Sequence, residues 1–317
     1  TFDPNNPGQQ SSNAVFTNPL VENVYEMGSI IKPLTVAAGL DEGVITAKTT
    51  YNDTGFRVLS GKRIENFDGK ARGVVSMQEI LNQSLNTGVV FVMEKLGMEK
   101  FSEKMLAYGL GERTGIDLPG EATGLVKNLG SSRAIEHATA AYGQGIALTP
   151  IETVRALSVL ANGGMLLEPH LLDYVEYPLG SREEYRPKNA PRRVIKKSTA
   201  DEISRMLQNV VDTTLAHGKA KLLTHTIAAK TGTAQISKEN GGGYYEDHYL
   251  HSFFGYFPVS EPRFLVFFFS KNPRGAQYAS ETLTEPFMNM AKFLINYYQI
   301  QPDRPEALPT TGTQKQP

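Results

Sequence analysis

Three segments near the end of the chain are rich in aromatic and β-branched residues, and they follow a long series of segments with helical patterns. They cover residues 226–236, 249–257 and 264–270, and such a composition favours β-strands. The last two are separated only by residues 258–263, a short hairpin connection. Helices in the middle and strands at the end predict an α+β fold, in which a mainly helical lobe packs on an antiparallel sheet with a cleft between them.

The composition excludes several classes of protein. The 317 residues carry 32 Lys and Arg against 33 Asp and Glu, so the formal net charge is −1 and we expect no nucleic acid as a partner. The chain has no cysteine, which excludes disulfides, thiolate catalysis and metals held by cysteine. Its six histidines show no spacing typical of metal ligands, so we expect neither a metal nor another cofactor.

No segment of the sequence predicts a membrane crossing. The longest run of aliphatic and aromatic residues extends only from Phe264 to Phe269, whereas a helix needs about 20 apolar residues to cross a bilayer. The first residues are rich in turn formers and lack the pattern of a signal peptide. We therefore expect the chain to begin after any membrane anchor.

The two ends of the chain differ from its middle. Residues 1–24 form an extended lead that is rich in Pro and Asn. Residues 301–317 contain four prolines and almost no large apolar side chains, which is typical of disorder. We predict one folded domain over residues 1–300, with a disordered tail over 301–317.

Helix signals recur through the chain. Two pairs, Ser76 with Glu79 and Thr149 with Glu152, have the spacing of a capping box, in which each side chain accepts a hydrogen bond from the other residue's backbone N–H. The other predicted helices begin near Ser29, at Asn86 or Thr87, at Glu99, at Ser198 and at Glu285.

One short motif suggests a nucleophile. Ser29 and Lys32 project from the same face of a helix about one turn apart, and Pro33 supports a helix start because proline is tolerated in the first turn. A serine hydroxyl needs a base, and an amine half buried beside the positive end of a helix dipole has a lowered pKa, so Lys32 can serve as that base. Alone the motif carries little weight, because a chain this long contains about one Ser-x-x-Lys by chance.

Two further motifs lie later in the chain. Ser84-Leu85-Asn86 falls in a tight break between two apolar helices, where polar side chains can point into a cleft. Lys230-Thr231-Gly232-Thr233 lies on the first predicted strand, where a glycine is best explained by something that approaches the backbone closely. Its lysine and threonines can bind a carboxylate, although a surface strand with an incidental glycine explains that motif equally well. A second Ser-x-Asn, at residues 11–13, lies in the turn-rich lead and is rejected for that reason.

The three motifs in this order are the signature of penicillin-binding proteins and class A β-lactamases. The chain resembles the transpeptidase domain of class B penicillin-binding proteins, from Thr1 to about Asp303. Gly115-Ile116-Asp117-Leu118-Pro119-Gly120-Glu121, Tyr142-Gly143-Gln144-Gly145 and Thr149-Pro150 are also similar to that family. The stretch from Ser252 to Pro258 resembles the cell-division members more than the elongation members. The resemblance implies the serine transpeptidase fold that penicillin-binding proteins share with β-lactamases.

The resemblance implies a role for each motif residue. Ser29 would attack the penultimate D-Ala carbonyl of a peptidoglycan stem peptide, and Lys32 would activate it. Ser84 would pass a proton to the leaving D-Ala nitrogen, and Asn86 would hold Lys32 and the substrate amide. The backbone N–H groups of Ser29 and Thr233 would form the oxyanion hole. The substrate carboxylate, or that of a β-lactam, would bind at the third motif, made of Lys230, Thr231, Gly232 and Thr233.

The resemblance also implies partners and a location. The partners would be peptidoglycan stem peptides, β-lactams and proteins of cell division or cell-wall synthesis. The location would be the extracytoplasmic face of the bacterial cytoplasmic membrane, with an N-terminal anchor that this chain lacks. The chain departs from the family at Met27, where proline is usual, and at Leu85, where a small or polar residue is common. The family's sheet also includes strands that precede this segment.

Other activities remain open. The enzyme alternatives are a D,D-carboxypeptidase and a β-lactamase, and the alternative without catalysis is a β-lactam-binding sensor or scaffold domain. A class A β-lactamase needs a glutamate to position water, whereas Glu79 precedes Ser84 and is predicted to cap a helix. Tyr244 and Tyr245 are more often explained by packing in a loop than by stacking on a substrate, but their place beside the third motif leaves them candidates for a wall of the cleft.

Overall fold

The computed structural model describes residue 5 and residues 17–238 and 241–304. The α-helices in this part of the chain are Lys32–Asp41 (α1), Met77–Asn82 (α2), Asn86–Leu96 (α3), Met98–Ala107 (α4), Ala134–Ala140 (α5), Pro150–Ala161 (α6), Lys197–Asn209 (α7) and Ala279–Tyr297 (α8). The strands are Thr50–Asp53 (β1), Phe56–Leu59 (β2), Lys62–Glu65 (β3), Gly73–Ser76 (β4), Met165–Leu166 (β5), Tyr174–Glu176 (β6), Arg182–Glu184 (β7), Arg192–Arg193 (β8), Ala228–Ser237 (β9), Tyr244–Phe257 (β10) and Phe264–Lys271 (β11).

The three predicted strands form one antiparallel sheet. Within the described residues their order is β11-β10-β9, and the remaining strands pair two by two outside this sheet. In the register of β9 and β10, Lys230 lies opposite Phe254 and Gly232 lies opposite Ser252. The predicted α+β fold is confirmed, and β9, which carries the third motif, lies at one edge of the described sheet.

The two faces of the sheet belong to two hydrophobic cores. Successive residues of a strand point to opposite faces, so Phe254 and Tyr256 of β10 pack into the core of the helical lobe. Phe253 and Phe257 point the other way and pack under α8, where the ring centroids of Phe253 and Phe287 lie 4.4 Å apart. The sheet is therefore covered by the helical lobe on one face and by α8 on the other.

The two predicted capping boxes have different outcomes. At Thr149 and Glu152 both reciprocal hydrogen bonds are present, and Pro150 is the first residue of α6. At Ser76 the prediction is wrong, because this residue precedes α2 without a side-chain cap. The carboxylate of Glu79 instead accepts hydrogen bonds of 2.8 Å from the side-chain amides of Asn82 and Gln83.

Three other helix ends also differ from the prediction. Neither Asn86 nor Thr87 caps α3, because Leu85 is the residue before the helix and Asn86 is its first residue. α8 begins at Ala279, six residues before Glu285, so Pro286 lies inside the helix and costs it one backbone hydrogen bond. The helix predicted to close at Gly218 is α-helical only to Asn209 and continues as a π-turn and a 3₁₀ turn.

The predicted ends of the chain are only partly described. Most of the predicted lead, including the second Ser-x-Asn, and the tail from residue 305 onwards lie outside the described residues. The first tail residues pack against the domain: Asp303 accepts the Thr226 backbone N–H at 2.7 Å, and Arg304 is paired with Asp212 at 2.6 Å. Among the described helices, none combines the length and the apolar content that a membrane crossing requires.

Candidate active site

A cleft of about 810 Å³ runs along the free edge of β9, between the sheet and the helical lobe. Six of the eight predicted site residues line it, namely Ser29, Ser84, Asn86, Lys230, Thr231 and Thr233. Lys32 and Gly232 are buried beneath its floor. The structure thus brings three distant segments of the chain to one place.

Ser29 lies on a 3₁₀ turn, Gly28–Ile31, that leads directly into α1. The turn packs closely against β9: a Cβ on Gly28 would lie 2.8 Å from the Thr233 carbonyl oxygen. Gly28 also has a positive φ of 66°, which favours glycine. Ser29 is partly buried, and its hydroxyl makes no hydrogen bond within the described residues. It can therefore reorient toward a reactant in the cleft.

Ser84 connects the two lysines of the site. Its Oγ lies 3.2 Å from the Lys32 Nζ and 2.9 Å from the Lys230 Nζ. The Lys32 amine also donates to the Ser84 carbonyl oxygen at 2.5 Å, and the Lys230 amine donates to the Thr231 carbonyl oxygen at 3.0 Å. Ser84 itself has a positive φ of 55°, a conformation that costs a non-glycine residue about 1–3 kcal/mol and that clusters at functional sites.

Burial changes the protonation of both lysines. Lys32 is fully buried, and desolvation holds its pKa well below the usual range, with a further lowering by the positive charge of Lys230. Desolvation also lowers the pKa of Lys230, to about 7. A neutral amine is therefore available near neutral pH, and a neutral amine can accept a proton from a hydroxyl.

The backbone of the third motif faces the cleft. The Thr231 carbonyl oxygen accepts a hydrogen bond from the Lys230 side chain, and the Thr233 carbonyl oxygen lies against the turn of Ser29, 2.8 Å from an ideal Cβ on Gly28. The N–H and C=O of one strand residue point to the same edge, and residue i+2 repeats that orientation. The N–H of Thr233 is therefore directed to the cleft edge, while its hydroxyl accepts the Ala279 backbone N–H at 3.0 Å.

Asn86 and Tyr244 have partners in this structure other than those considered for the site. Asn86 lines the cleft, but its amide donates to the Glu65 carbonyl oxygen at 2.8 Å and makes no hydrogen bond to Lys32 within the described residues. Tyr244 and Tyr245 are not among the residues that line the cleft. The Tyr244 hydroxyl instead donates to the carboxylate of Glu26, at 3.0–3.1 Å, three residues before Ser29.

Several cleft residues were not predicted as site residues. Phe67 and Tyr278 meet edge to face at the cleft, with ring centroids 5.6 Å apart, although the sequence places them more than two hundred residues apart. Tyr142 and Gln144 also line the cleft, and their segment was noted only as a family similarity. His217 reaches the cleft from the irregular turn after α7 with a positive φ of 56°. Within the described residues, no three His, Asp or Glu side chains are grouped to hold a metal ion.

The α+β fold, with a cleft along the edge of its sheet that the three motifs line, is the arrangement expected of a penicillin-binding protein transpeptidase domain. Residues 1–291 match the family model described as "Penicillin binding protein transpeptidase domain". The chain therefore belongs to this family, as the motifs predicted.

Comparison with individual proteins agrees with the family. The chain is 32% identical over 292 residues to Stage V sporulation protein D of Bacillus subtilis, an alignment that covers 90% of this chain and 44% of that protein. It is 25% identical over 304 residues to the peptidoglycan D,D-transpeptidase FtsI of Buchnera aphidicola, covering 96% of this chain and 50% of that protein. The chain thus spans about half the length of the curated relatives it matches.

Solved structures show the same fold. Penicillin-binding protein 3 of Mycobacterium tuberculosis superposes with a TM-score of 0.84 at 26% identity, covering 97% of this chain and 70% of that chain. The same protein has also been solved in a complex with aztreonam.

Proposed function

We propose that this chain is the catalytic part of a peptidoglycan D,D-transpeptidase, which cross-links stem peptides through an acyl-enzyme on Ser29 and is acylated and inhibited by β-lactams. The observation that carries the proposal is the position of the Ser84 hydroxyl between the amines of Lys32 and Lys230. A place in cell division, and a position on the outer face of the cytoplasmic membrane, belong to the same proposal.

The acylation step uses the neutral form of Lys32. This amine takes the Ser29 hydroxyl proton while Oγ bonds to the penultimate D-Ala carbonyl carbon. The negative oxygen accepts hydrogen bonds from the backbone N–H groups of Ser29 and Thr233, where each donor is worth about 3 kcal/mol. Ser29 and Lys32 are not hydrogen-bonded in this structure, and catalytic hydrogen bonds commonly tighten only when substrate is bound.

The leaving group requires a proton, which Ser84 can supply. As the C–N bond breaks, the Ser84 hydroxyl gives its proton to the D-Ala nitrogen, and the Lys32 ammonium returns a proton to Ser84. The 3.2 Å separation of Ser84 Oγ from Lys32 Nζ suits this relay. The amine of an acceptor peptide then attacks the acyl-enzyme, and the same relay carries its proton in reverse.

The third motif binds the substrate carboxylate in this proposal. Thr231 and Thr233 line the cleft at the open edge of β9, and protonated Lys230 lies at its floor. Because burial lowers the pKa of Lys230 to about 7, a bound carboxylate favours its charged form and raises that pKa. Substrate binding and the protonation of Lys230 are then coupled. Asn86 also lines the cleft, and in this proposal it contacts the substrate amide.

Labelling with a fluorescent penicillin tests the proposal. We expect one covalent label per chain, its loss in Ser29→Ala, and release over many minutes or longer. Ser280→Ala is the matched control, because Ser280 also lines the cleft and has no proposed chemical role. Ser280→Ala should label like the unmodified chain.

The alternatives predict different results. Rapid release with repeated turnover of penicillin would indicate a β-lactamase. A stem peptide with an amine acceptor, followed by mass spectrometry, separates a cross-linked product from the hydrolysed product of a D,D-carboxypeptidase. Labelling without reaction of the peptide would indicate a sensor or scaffold, and labelling that persists in Ser29→Ala would refute the assignment of the nucleophile.

A further inference from the structure

The segment that leads into the nucleophile is tied to the sheet by one buried hydroxyl. Ser252, in the middle of β10, is 0% exposed and donates from its Oγ to the Met27 carbonyl oxygen at 2.8 Å. The Gly232 carbonyl oxygen lies farther from the same Oγ, at 3.3 Å. A hydroxyl has one proton to donate, so the shorter contact to Met27 is the better hydrogen bond.

The Ser252 hydroxyl fits between the two strands because Gly232 has no side chain. Ser252 lies directly opposite Gly232 in the register of β9 and β10. A Cβ on Gly232 would lie 2.3 Å from the Ser252 Oγ and 2.8 Å from the Met27 carbonyl oxygen. The sequence predicted a close approach to the backbone of this glycine, and the structure shows that the chain itself makes that approach.

The hydrogen bond links the segment before Ser29 to β10, which pairs with the strand that carries Thr233, the other half of the proposed oxyanion hole. Met27 lies two residues before Ser29, and Gly232 lies immediately before Thr233. Ser29 sits on a turn that belongs to the helical lobe, whereas Thr233 sits on the sheet. An oxyanion hole works only when both donors lie about 2.7–3.1 Å from one oxygen, so the spacing of these two elements must be held.

We propose that Ser252 is a positioning residue, which fixes the distance between the backbone N–H groups of Ser29 and Thr233 and so sets the rate of acylation. This inference rests on the proposed function. One other side-chain hydrogen bond joins the segment before Ser29 to β10 in the described residues, between Tyr244 and Glu26. That bond lies at the start of β10, away from the register of Gly232, and cannot replace the buried one.

The test compares Ser252→Ala with Ser102→Ala. Ser102 is also a buried serine, 8% exposed, whose hydroxyl donates to the Leu129 carbonyl oxygen at 2.6 Å and has a second, longer contact at 3.1 Å, to the His137 Nδ1, and it lies in the helical lobe away from the cleft. We expect both variants to lower the melting temperature to a similar extent. Only Ser252→Ala should slow the covalent step with fluorescent penicillin, by roughly 10- to 100-fold.

The kinetic readout separates positioning from folding. Varying the penicillin concentration gives the dissociation constant of the first complex and the rate constant of the covalent step, and we expect only the latter to change. Partial unfolding would instead lower the final amount of label per chain and leave the rate constant unchanged. Ser252→Cys has a weaker S–H donor, so its covalent rate constant should lie between those of Ser252→Ala and the unmodified chain. This variant replaces Ser252→Ala in the test if Ser252→Ala does not fold.

Each outcome has one meaning. Unchanged covalent rate constants in the Ser252 variants, with normal labelling of the unmodified chain, would overturn this inference and leave the proposed function intact. An equal slowing in Ser102→Ala would also overturn it, because the effect would then be general. An unmodified chain that penicillin does not acylate would overturn the proposed function and this inference with it.

Discussion

Replacing Gly143 by alanine should both destabilise the chain and slow its acylation. Gly143 has a positive φ of 79°, and a Cβ there would lie 2.2 Å from the Gly28 carbonyl oxygen, next to Ser29. The Gly28 backbone N–H also donates to the Gly143 carbonyl oxygen at 3.1 Å, so the two glycines are held together. A positive φ costs alanine roughly 1–2 kcal/mol, and overpacking costs about 1–3 kcal/mol more.

Gly43→Ala is the matched control, because it measures the cost of a positive φ without a steric clash. Gly43 has a similar φ of 72°, but a Cβ there would meet nothing within 4 Å. This variant should lose only about 1–2 kcal/mol, whereas Gly143→Ala should lose about 2–5 kcal/mol. Urea denaturation measures both losses, and a time course of penicillin labelling measures acylation.

The acylation rates make the comparison decisive. The Cβ of Gly143→Ala must displace the Gly28 carbonyl, and with it the turn that carries Ser29, so its acylation should slow by at least tenfold. Gly43→Ala should acylate at the normal rate. Equal losses of stability in the two variants, or a normal rate in Gly143→Ala, would show that the contact between Gly143 and Gly28 does not constrain the position of Ser29.

Three further predictions follow from charges and caps. Lys230→Met should move the acidic limb of the pH profile of penicillin acylation to higher pH, because Lys32 holds its proton more strongly without a neighbouring positive charge; an unmoved limb would contradict the coupling. Desolvation raises the pKa of Glu26 from 4.5 to about 7, so between these pH values the folded chain keeps a proton on Glu26 that the unfolded chain has lost. The contribution of Glu26 to the free energy of unfolding is therefore complete below pH 4.5 and is lost as the pH rises to about 7. Glu26→Gln should therefore flatten the pH dependence of thermal unfolding in that window, and an unchanged slope would argue against a buried protonated Glu26. Thr149→Ala should cost about 1 kcal/mol in urea denaturation by removing a helix cap, with labelling rates unchanged.

Local sequence identifies possible hydrogen-bond partners within one helical turn, but it does not say which of them will bind. The capping box of Thr149 and Glu152 forms although the Gly111 N–H also binds the Glu152 carboxylate, because that N–H binds Oε1 and leaves Oε2 for the Thr149 N–H. The same spacing failed at Ser76, because the amides of Asn82 and Gln83 one turn later bind the Glu79 carboxylate. Spacing alone cannot rank such competitors.

The candidate site was predictable where a motif names its own residues. The nucleophile motif, Ser84 and Lys230 could be placed in one cleft from their order in the chain, and they do converge. Ser252 could not be identified, because its importance depends on the register that sets it opposite Gly232. Contacts such as that of Phe67 with Tyr278 likewise depend on how the two lobes pack, which no local pattern encodes.

The arrangement of the two lysines explains how a buried site can move protons. Lys32 and Lys230 both contact the Ser84 hydroxyl, so their amines lie within about 6 Å of each other. Two positive charges at that distance repel by roughly 2.7 kcal/mol at an effective dielectric constant of 20, in addition to the desolvation cost of each. Without a compensating anion, the site therefore favours at most one charge.

A substrate carboxylate changes this balance, because it compensates the charge of Lys230. In the proposed mechanism, Lys32 can then take the proton of Ser29 while Lys230 stays charged, and the developing oxyanion balances the new ammonium. The net charge of the buried site does not rise during the reaction, so no step has to desolvate an extra ion. Desolvation, the larger cause of the lowered pKa of Lys32, persists when a carboxylate binds, so Lys32 can stay neutral until it takes the proton of Ser29.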